Sequence, residues 1–331
     1  MMVRGRGTAT IYYGIGNTGM PNPSSAFVEV MEDGSVSVLC GAADMGQGST
    51  TVLAQIVATD FGIPLHRVHV TTADTGSTPE AGVSSASRQT YVSGNACRAA
   101  SAQAKQVLLD RAVELLDEPA DNLIVAHGVV TVANDPDRSV PVPEVALACR
   151  KAGRLSVGSG TFNPPTGDLD RETGQGDAYG TFAFATHVAE VEVDTETGEV
   201  TVLGLWAAHD VGTAINPQAA EGQIEGGVAI GLGYATMEEV VVEEGHIRTR
   251  TFSDYMIPTA LDVPPIYSLL VEEPTPSGPY GAKGLGEPPT VAAAAAIANA
   301  VYDAIGVRIM ELPLTAERVY LAMLSAPPRM L

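Results

Sequence analysis

The chain has 331 residues, with 18 basic against 39 acidic side chains and a formal charge of −21. That balance argues against a nucleic-acid partner, because a phosphate backbone is held by Lys and Arg. Apolar residues make up 45% and charged ones 17%, too apolar for a disordered chain and too mixed for a membrane one.

In chain order, Thr8 to Tyr13 reads as a strand and runs into Gly14-Ile15-Gly16-Asn17-Thr18-Gly19. This spells G-x-G-x-x-G, but a dinucleotide site needs a helix opening at those glycines. Pro21 and Pro23 follow at once and forbid an ordinary helical run. Ala26 to Cys40 reads as a hairpin turning at Asp33 and Gly34. Ser49 or Thr50 caps a helix with Leu53, Ile56, Val57 and Phe61 on its apolar face, stopped by Gly62 and Pro64. A strand (RVHVTT) and a Gly/Ser/Thr-rich stretch, Thr75 to Thr90, come next. A long helix follows from about Asn95 to Leu116, with Ala104, Val107, Leu108, Ala112 and Leu115 on one face. A hairpin turning at His127-Gly128 and a short helix, PVPEVALACRKAG, complete this half.

Gly158 to Asp177 is nearly devoid of apolar residues and reads as a loop, functional or a join between lobes. Strands resume at THVAEVEVD and EVTVLGLWAA, turning at Thr197-Gly198; a helix runs from Pro217 to about Thr236. A hairpin around Glu244-Gly245 and helices beginning near Pro289 and Thr315 close the chain. No internal repeat is visible. The grouping of strands and helices predicts an α+β fold in two lobes, residues 1–165 and 166–331.

Cys40, Cys97 and Cys149 are far apart and form no C-x-x-C or Cys/His spacing. No zinc site or iron–sulfur cluster can be built from them alone, and free thiols in a reducing cytoplasm are expected. The N-terminal residues lack the apolar core of a signal peptide. The alanine-rich run Val291 to Val301 is too short and too weakly apolar to span a bilayer. A soluble cytoplasmic protein is the expectation.

Gly 35 and Pro 22 put much of the backbone in turns and close-approach loops. Four segments join glycines to polar side chains: Gly41 to Gly48; Thr75 to Thr90; His209 to Gly227; and Gly278 to Pro289. Each flanks a predicted helix N-terminus, where amide N–H groups suit anionic or carbonyl oxygens. Singly, each has a plain structural reading. Jointly they suggest a cradle for a polyanionic cofactor.

The residues inside these segments resemble the second molybdopterin-binding domain of the xanthine dehydrogenase family of molybdenum hydroxylases. The likeness is carried by Met45-Gly46-Gln47-Gly48, Asp74-Thr75, Ser85 to Thr90, Gly94-Asn95-Ala96 and Val191 to Asp194. It continues through Asp210-Val211-Gly212, Asn216-Pro217, Gly222 to Gly226, Ser253 to Pro258 and Lys283-Gly284-Leu285-Gly286-Glu287-Pro288.

That resemblance implies a fold, a reaction and a set of residues. The fold would be the two-lobed molybdopterin-binding domain of that family. The reaction would hydroxylate an N-heteroaromatic substrate, nicotinate- or purine-like, with oxygen from water; an aldehyde- or carbon-monoxide-oxidising member is the alternative. A non-catalytic scaffold or cofactor-insertion protein is the alternative from another class. Glu287 would be the general base. Met45, Gly46, Gln47 and Gly48 would hold the pterin and its nucleotide tail. Ala86, Ser87, Arg88, Gln89 and Thr90 would follow the pyrophosphate or the metal's surroundings. Gln223 would meet the pterin, Lys283 and Gly284 would shape the loop before the base, and Tyr13 would touch substrate. No side chain would ligate the metal.

The cofactor implied is molybdenum-molybdopterin in the cytosine dinucleotide form. The family's first molybdopterin domain is not found ahead of Arg4-Gly5-Arg6-Gly7, so a split arrangement like that of nicotinate dehydrogenases is expected. A large molybdopterin subunit would supply the other half, with iron–sulfur and FAD groups on further subunits, and this medium subunit would be inactive alone. Asp210 and Asn216 are expected to bond turn backbone, and His187 and His209 to be core groups.

Overall fold

Residues 1–325 are described by the computed structural model, and they divide into two units that are both discontinuous in sequence. A terminal unit comprises Met1–Tyr13, Ala183–Glu272 and the chain from Leu285 onward; a central unit comprises Gly14–Phe182 and Glu273–Gly284. The lobes expected at 1–165 and 166–331 were continuous. The difference arises because the first strand, β1 (Met2–Gly14), joins a sheet made otherwise of strands beyond residue 180.

In the central unit, β2 (Ser24–Val30) and β3 (Val36–Cys40) form the expected antiparallel hairpin, with Val28 opposite Val38. Alternation buries Ala26, Val28 and Val30 on one face. The helix α1 (Ser49–Phe61) stops where Gly62 turns left-handed, and it crosses over to β4 (Val68–Thr72), which runs parallel to β3. The long helix α2 (Gly94–Leu116) follows directly on a π turn, Gln89–Ser93. Three short strands, β5 (Leu123–Ala126), β6 (Val129–Val132) and β7 (Asp135–Pro141), form their own sheet, and α3 (Val142–Lys151) follows.

The last strand here, β8 (Ser156–Phe162), pairs antiparallel with β2 and sets the order β4-β3-β2-β8. It takes up the start of the segment expected to be loop from Gly158. The polar composition misleads because this strand buries glycines. A Cβ at Gly158 would lie 2.0 Å from the Ala100 carbonyl oxygen, and one at Gly160 2.3 Å from the Ala100 nitrogen. The strand therefore lies directly on the Ala96, Ala100 and Ala104 face of α2.

The terminal unit repeats this plan. An antiparallel pair, β9 (Phe182–Asp194) and β10 (Val200–Asp210), leads into α4 (Pro217–Thr236). A small hairpin, β11 (Val242–Glu243) and β12 (His246–Ile247), precedes β13 (Ile266–Val271), which is parallel to β10. Then come α5 (Pro288–Val291), α6 (Ala293–Ile305) and α7 (Ala316–Ser325). The sheet order is β1-β9-β10-β13. Its edge strand again presents glycines to an alanine face: a Cβ at Gly5 would lie 2.2 Å from the Ala300 oxygen, and one at Gly7 2.1 Å from the Ala300 nitrogen. So a repeat exists in structure although none is legible in sequence. The place of the edge strand differs, β8 closing one copy and β1 opening the other, and so do the insertions, the sheet β5-β6-β7 with α3 in one and the hairpin β11-β12 in the other.

No helix among the described residues is long and apolar enough to cross a membrane. Nothing helical follows Gly14 to Gly19; the chain passes from there into β2. The cap expected at Ser49 or Thr50 is instead Gly48, left-handed and with no side-chain cap bond, because Asp44 takes the Thr50 amide; the predicted hairpins and helices otherwise stand close to where periodicity and turn residues put them.

Candidate functional site

In the central unit, the loop ahead of α1 is built around one carboxylate. Asp44 Oδ1 accepts from the Gly46 and Gly48 amides at 2.9 and 3.3 Å, and its Oδ2 accepts from the Thr50 amide at 3.0 Å. The amides at this helix start, expected to meet a cofactor, are engaged by the chain's own aspartate. Although burial opposes it, those amide bonds hold the Asp44 carboxyl below its usual range. Gln47 braces the same loop, donating to the Ala43 carbonyl at 2.9 Å and to Ser49 Oγ at 3.1 Å. Met45 stands 74% exposed.

Gly46 and Gly48 have φ of 106° and 78°, and an added Cβ at either would meet nothing within 4 Å. The backbone needs glycine there, and the bare main chain faces open space. Those two features fit a loop that a large flat group can approach closely.

The Ser84 to Thr90 stretch is strained and anchored. Ala86 and Ser87 take successive positive φ values of 52° and 53°, each costing about 1–3 kcal/mol in a non-glycine residue. The Ala86 carbonyl accepts from the Gly16 amide at 2.9 Å. Gln89 is buried, donating to Ser84 Oγ at 2.8 Å and accepting from Ser93 Oγ at 2.7 Å. Thr90 is half-buried in the π turn.

Arg88 is 1% exposed, and its guanidinium donates to four main-chain carbonyls, those of Ala81, Val83, Asn22 and Pro23. Its charge is used within the protein, tying the 81–83 and 22–23 turns together; burial lowers its pKa. Gly284 completes the assembly: a Cβ there would lie 1.7 Å from the Ser87 carbonyl oxygen. The Lys283-Gly284 backbone is thus pressed against the Ser87 backbone, and Lys283 is 9% exposed.

The terminal unit holds the remaining candidates. Tyr13 Oη donates to Glu287 Oε2 at 2.9 Å. Glu287 occupies the N-cap of α5 yet makes no side-chain capping bond there. Pro288 and Pro289 offer no N–H to cap, and the Thr290 amide donates to the Glu287 main-chain carbonyl at 3.0 Å. Gln223 lies half-buried on α4, between Gly222 and Gly226, where an added Cβ would again meet nothing within 4 Å. Asp210 and Asn216 act as expected: Asp210 Oδ1 accepts from the Gly212 amide, and Asn216 caps α4 through the Ala219 amide, both at 3.0 Å. His187 and His209 face one another in the core with Nε2 atoms 2.7 Å apart. No cluster of three or more His, Cys, Asp or Glu side chains able to hold a metal occurs among the described residues.

Two feature sets therefore stand out: glycine-bordered loops in the central unit, and a carboxylate–phenol pair beside bare helix glycines in the terminal unit. The chain belongs to the molybdopterin cofactor-binding domain family, which matches residues 1–264. It is similar to the putative xanthine dehydrogenase molybdenum-binding subunit of Escherichia coli K12, at 36% identity over 87% of this chain and 38% of that protein. It is also similar to the gamma subunit of the 6-hydroxypseudooxynicotine dehydrogenase complex of Paenarthrobacter nicotinovorans, at 33% over 88% of this chain and 36% of that one. Among solved structures, quinoline 2-oxidoreductase from Pseudomonas putida 86 superposes with a TM-score of 0.89 and 31% identity, over 98% of this chain and 42% of that one. The chain spans well under half the length of each.

Asp60, Arg98 and Tyr280, which hold the loop leading to Lys283, were not anticipated. One signal was present: Asp60 falls on the stripe of Leu53, Ile56, Val57 and Phe61, a polar residue on a buried helix face.

Proposed function

We propose that this chain is the molybdopterin-binding part of a molybdenum hydroxylase that oxidises a carbon of an N-heteroaromatic compound with oxygen from water. The bond from Tyr13 to Glu287 carries the reading. It presents an oriented carboxylate at the residue that the family resemblance makes the general base. The names of the similar proteins, a putative xanthine dehydrogenase subunit, a 6-hydroxypseudooxynicotine dehydrogenase subunit and a quinoline 2-oxidoreductase, support the substrate class.

Met45, Gly46, Gln47 and Gly48 would hold the pterin and its nucleotide tail on a loop whose Gly46 and Gly48 amides are fixed by Asp44 and whose bare glycine faces allow close approach, with Gln223 on the pterin from α4. Ala86, Ser87, Gln89, Thr90, Lys283 and Gly284 would border it, and Arg88 would fix the turns behind them. When bound, the molybdenum centre accepts the two electrons released as the carbon is oxidised. Glu287 would take a proton as the water-derived oxygen attacks the carbon, and Tyr13, which donates to that carboxylate, would orient it and touch substrate. The cytosine dinucleotide form of the cofactor, a large partner subunit, and iron–sulfur and FAD subunits belong to the same proposal.

The test is Glu287→Gln in the complex purified with its partners, assayed on a panel of nicotinate, a purine, an aldehyde and carbon monoxide. Turnover of nicotinate or the purine is expected to fall by about 10²- to 10⁴-fold, with molybdenum content unchanged. Full turnover at intact molybdenum content would overturn the role of Glu287. Activity of the unaltered complex on the aldehyde or carbon monoxide alone would overturn the substrate class.

A further inference from the structure

Tyr280 is strained for a bulky residue, with φ 53° and ψ 26° inside the short turn Pro279–Gly281. Backbone in that state persists only when its surroundings over-determine it. Here its hydroxyl donates to Asp60 Oδ1 at 2.6 Å, and the Arg98 guanidinium lies 4.1 Å from its ring centroid. A bond from a phenol to a buried carboxylate is among the stronger kinds, and a guanidinium over an aromatic face adds to it.

Asp60 is itself fixed. It is 8% exposed, Arg98 Nε and Lys105 Nζ lie 3.5 and 3.8 Å from Oδ1, and Lys105 donates to its carbonyl at 2.9 Å. Burial and the Asp60 carboxylate both raise the Tyr280 pKa, so the hydroxyl stays protonated and able to donate.

The neighbours of Tyr280 point the same way. Ser277 accepts from Tyr91 Oη and Asn95 Nδ2 at 2.8 Å each, and Pro279 packs where a Cβ on Gly94 would fall 2.9 Å from its Cγ. Residues 277–280 are therefore clamped onto α1 and the start of α2. Three residues later the chain reaches Lys283 and Gly284, pressed against Ser87. Between the two clamps lie only Gly281 and Ala282.

We propose that Asp60, Arg98 and Tyr280 form a latch that sets where the Lys283-Gly284 backbone lies, making Tyr280 a positioning residue for the cofactor. The cofactor part rests on the reading given under the proposed function; the latch itself does not. The test uses Tyr280→Phe and Asp60→Asn in the purified complex. Phe keeps the ring, the strain and the Arg98 contact while losing the bond; Asn keeps an acceptor while losing the charge.

Amide exchange of residues 278–286 is expected to rise at least tenfold in Tyr280→Phe, with α2 beyond Lys105 unchanged. In Asp60→Asn it should rise less, and the double variant should match Tyr280→Phe rather than sum the two. Molybdenum per protein should fall at least threefold in Tyr280→Phe, and the Mo(V) paramagnetic resonance of the dithionite-reduced remainder should shift. Unaltered exchange in Tyr280→Phe, or additive effects in the double variant, would overturn the latch. Raised exchange with molybdenum content and spectrum unaltered would overturn the cofactor role of the loop while leaving the latch standing.

Discussion

His187 and His209 show what burial does to a residue that sequence treats as switchable. Their Nε2 atoms share one hydrogen bond, and neither Nδ1 has a hydrogen-bond partner. Desolvation lowers His187 to about 4 and, with the neighbouring imidazole adding to it, His209 to about 3. Unfolded histidine takes its proton near 6.5. The pair's stabilising contribution is therefore complete above that pH and is lost progressively as pH falls toward 4. At pH 5 the loss is about 2 kcal/mol for each imidazole. Denaturant unfolding at pH 7.5 and 5.0 measures it. Neither imidazole should titrate between pH 8 and 5.5 in nitrogen-resolved NMR, and a midpoint near 6.5 would contradict the assignment. The three cysteines, all buried and unpaired by disulfides, should likewise ignore a thiol reagent until the chain unfolds. Among the site candidates, the motif glycines and Glu287 could be named from sequence because their residue types and spacing carry the resemblance. The position of the Arg88 guanidinium on four carbonyls could not, since a cation's partners here are main-chain atoms brought together by turns far apart in the chain.

At the scale of elements, both units use one device: a Gly-x-Gly strand laid on an Ala-x-x-x-Ala-x-x-x-Ala helix face. Gly158 and Gly160 meet Ala96, Ala100 and Ala104; Gly5 and Gly7 meet Ala296, Ala300 and Ala304. With no side chain on the glycine surface and only methyl groups on the alanine one, backbones approach far closer than the roughly 10 Å of ordinary layer packing. Glycines thus serve packing in both units. Gly160→Ala or Gly7→Ala should cost about 1–3 kcal/mol or more, read as a lowered midpoint in thermal or denaturant unfolding. Gly222→Ala, with open space around its Cβ, should leave stability unchanged or raise it by about 1 kcal/mol through helix propensity. Helices were legible through capping and stop residues, as at Asn216-Pro217 and Phe61-Gly62. Strand β8 was not, because glycine and serine carry no period-two hydrophobic signal.

Across the whole molecule, the chain passes between its two units at residues 13–14, 182–183, 272–273 and 284–285. A cut at residue 165 would strip β1 from the sheet β1-β9-β10-β13 and residues 273–284 from the central unit. Fragments 1–165 and 166–331 should each lack a cooperative melting transition in circular dichroism. A fragment of either that melted sharply would show that the missing segment is dispensable. Sequence by itself determined the local elements and the family, because capping, alternation and short glycine-rich motifs are properties of neighbouring residues. Only tertiary structure decided which segments share a unit, that the units repeat one plan, and that Tyr13 reaches Glu287 while Tyr280 reaches Asp60. Those pairings join residues more than 200 positions apart, and no local pattern of residue types encodes a contact made by the path of the chain between them.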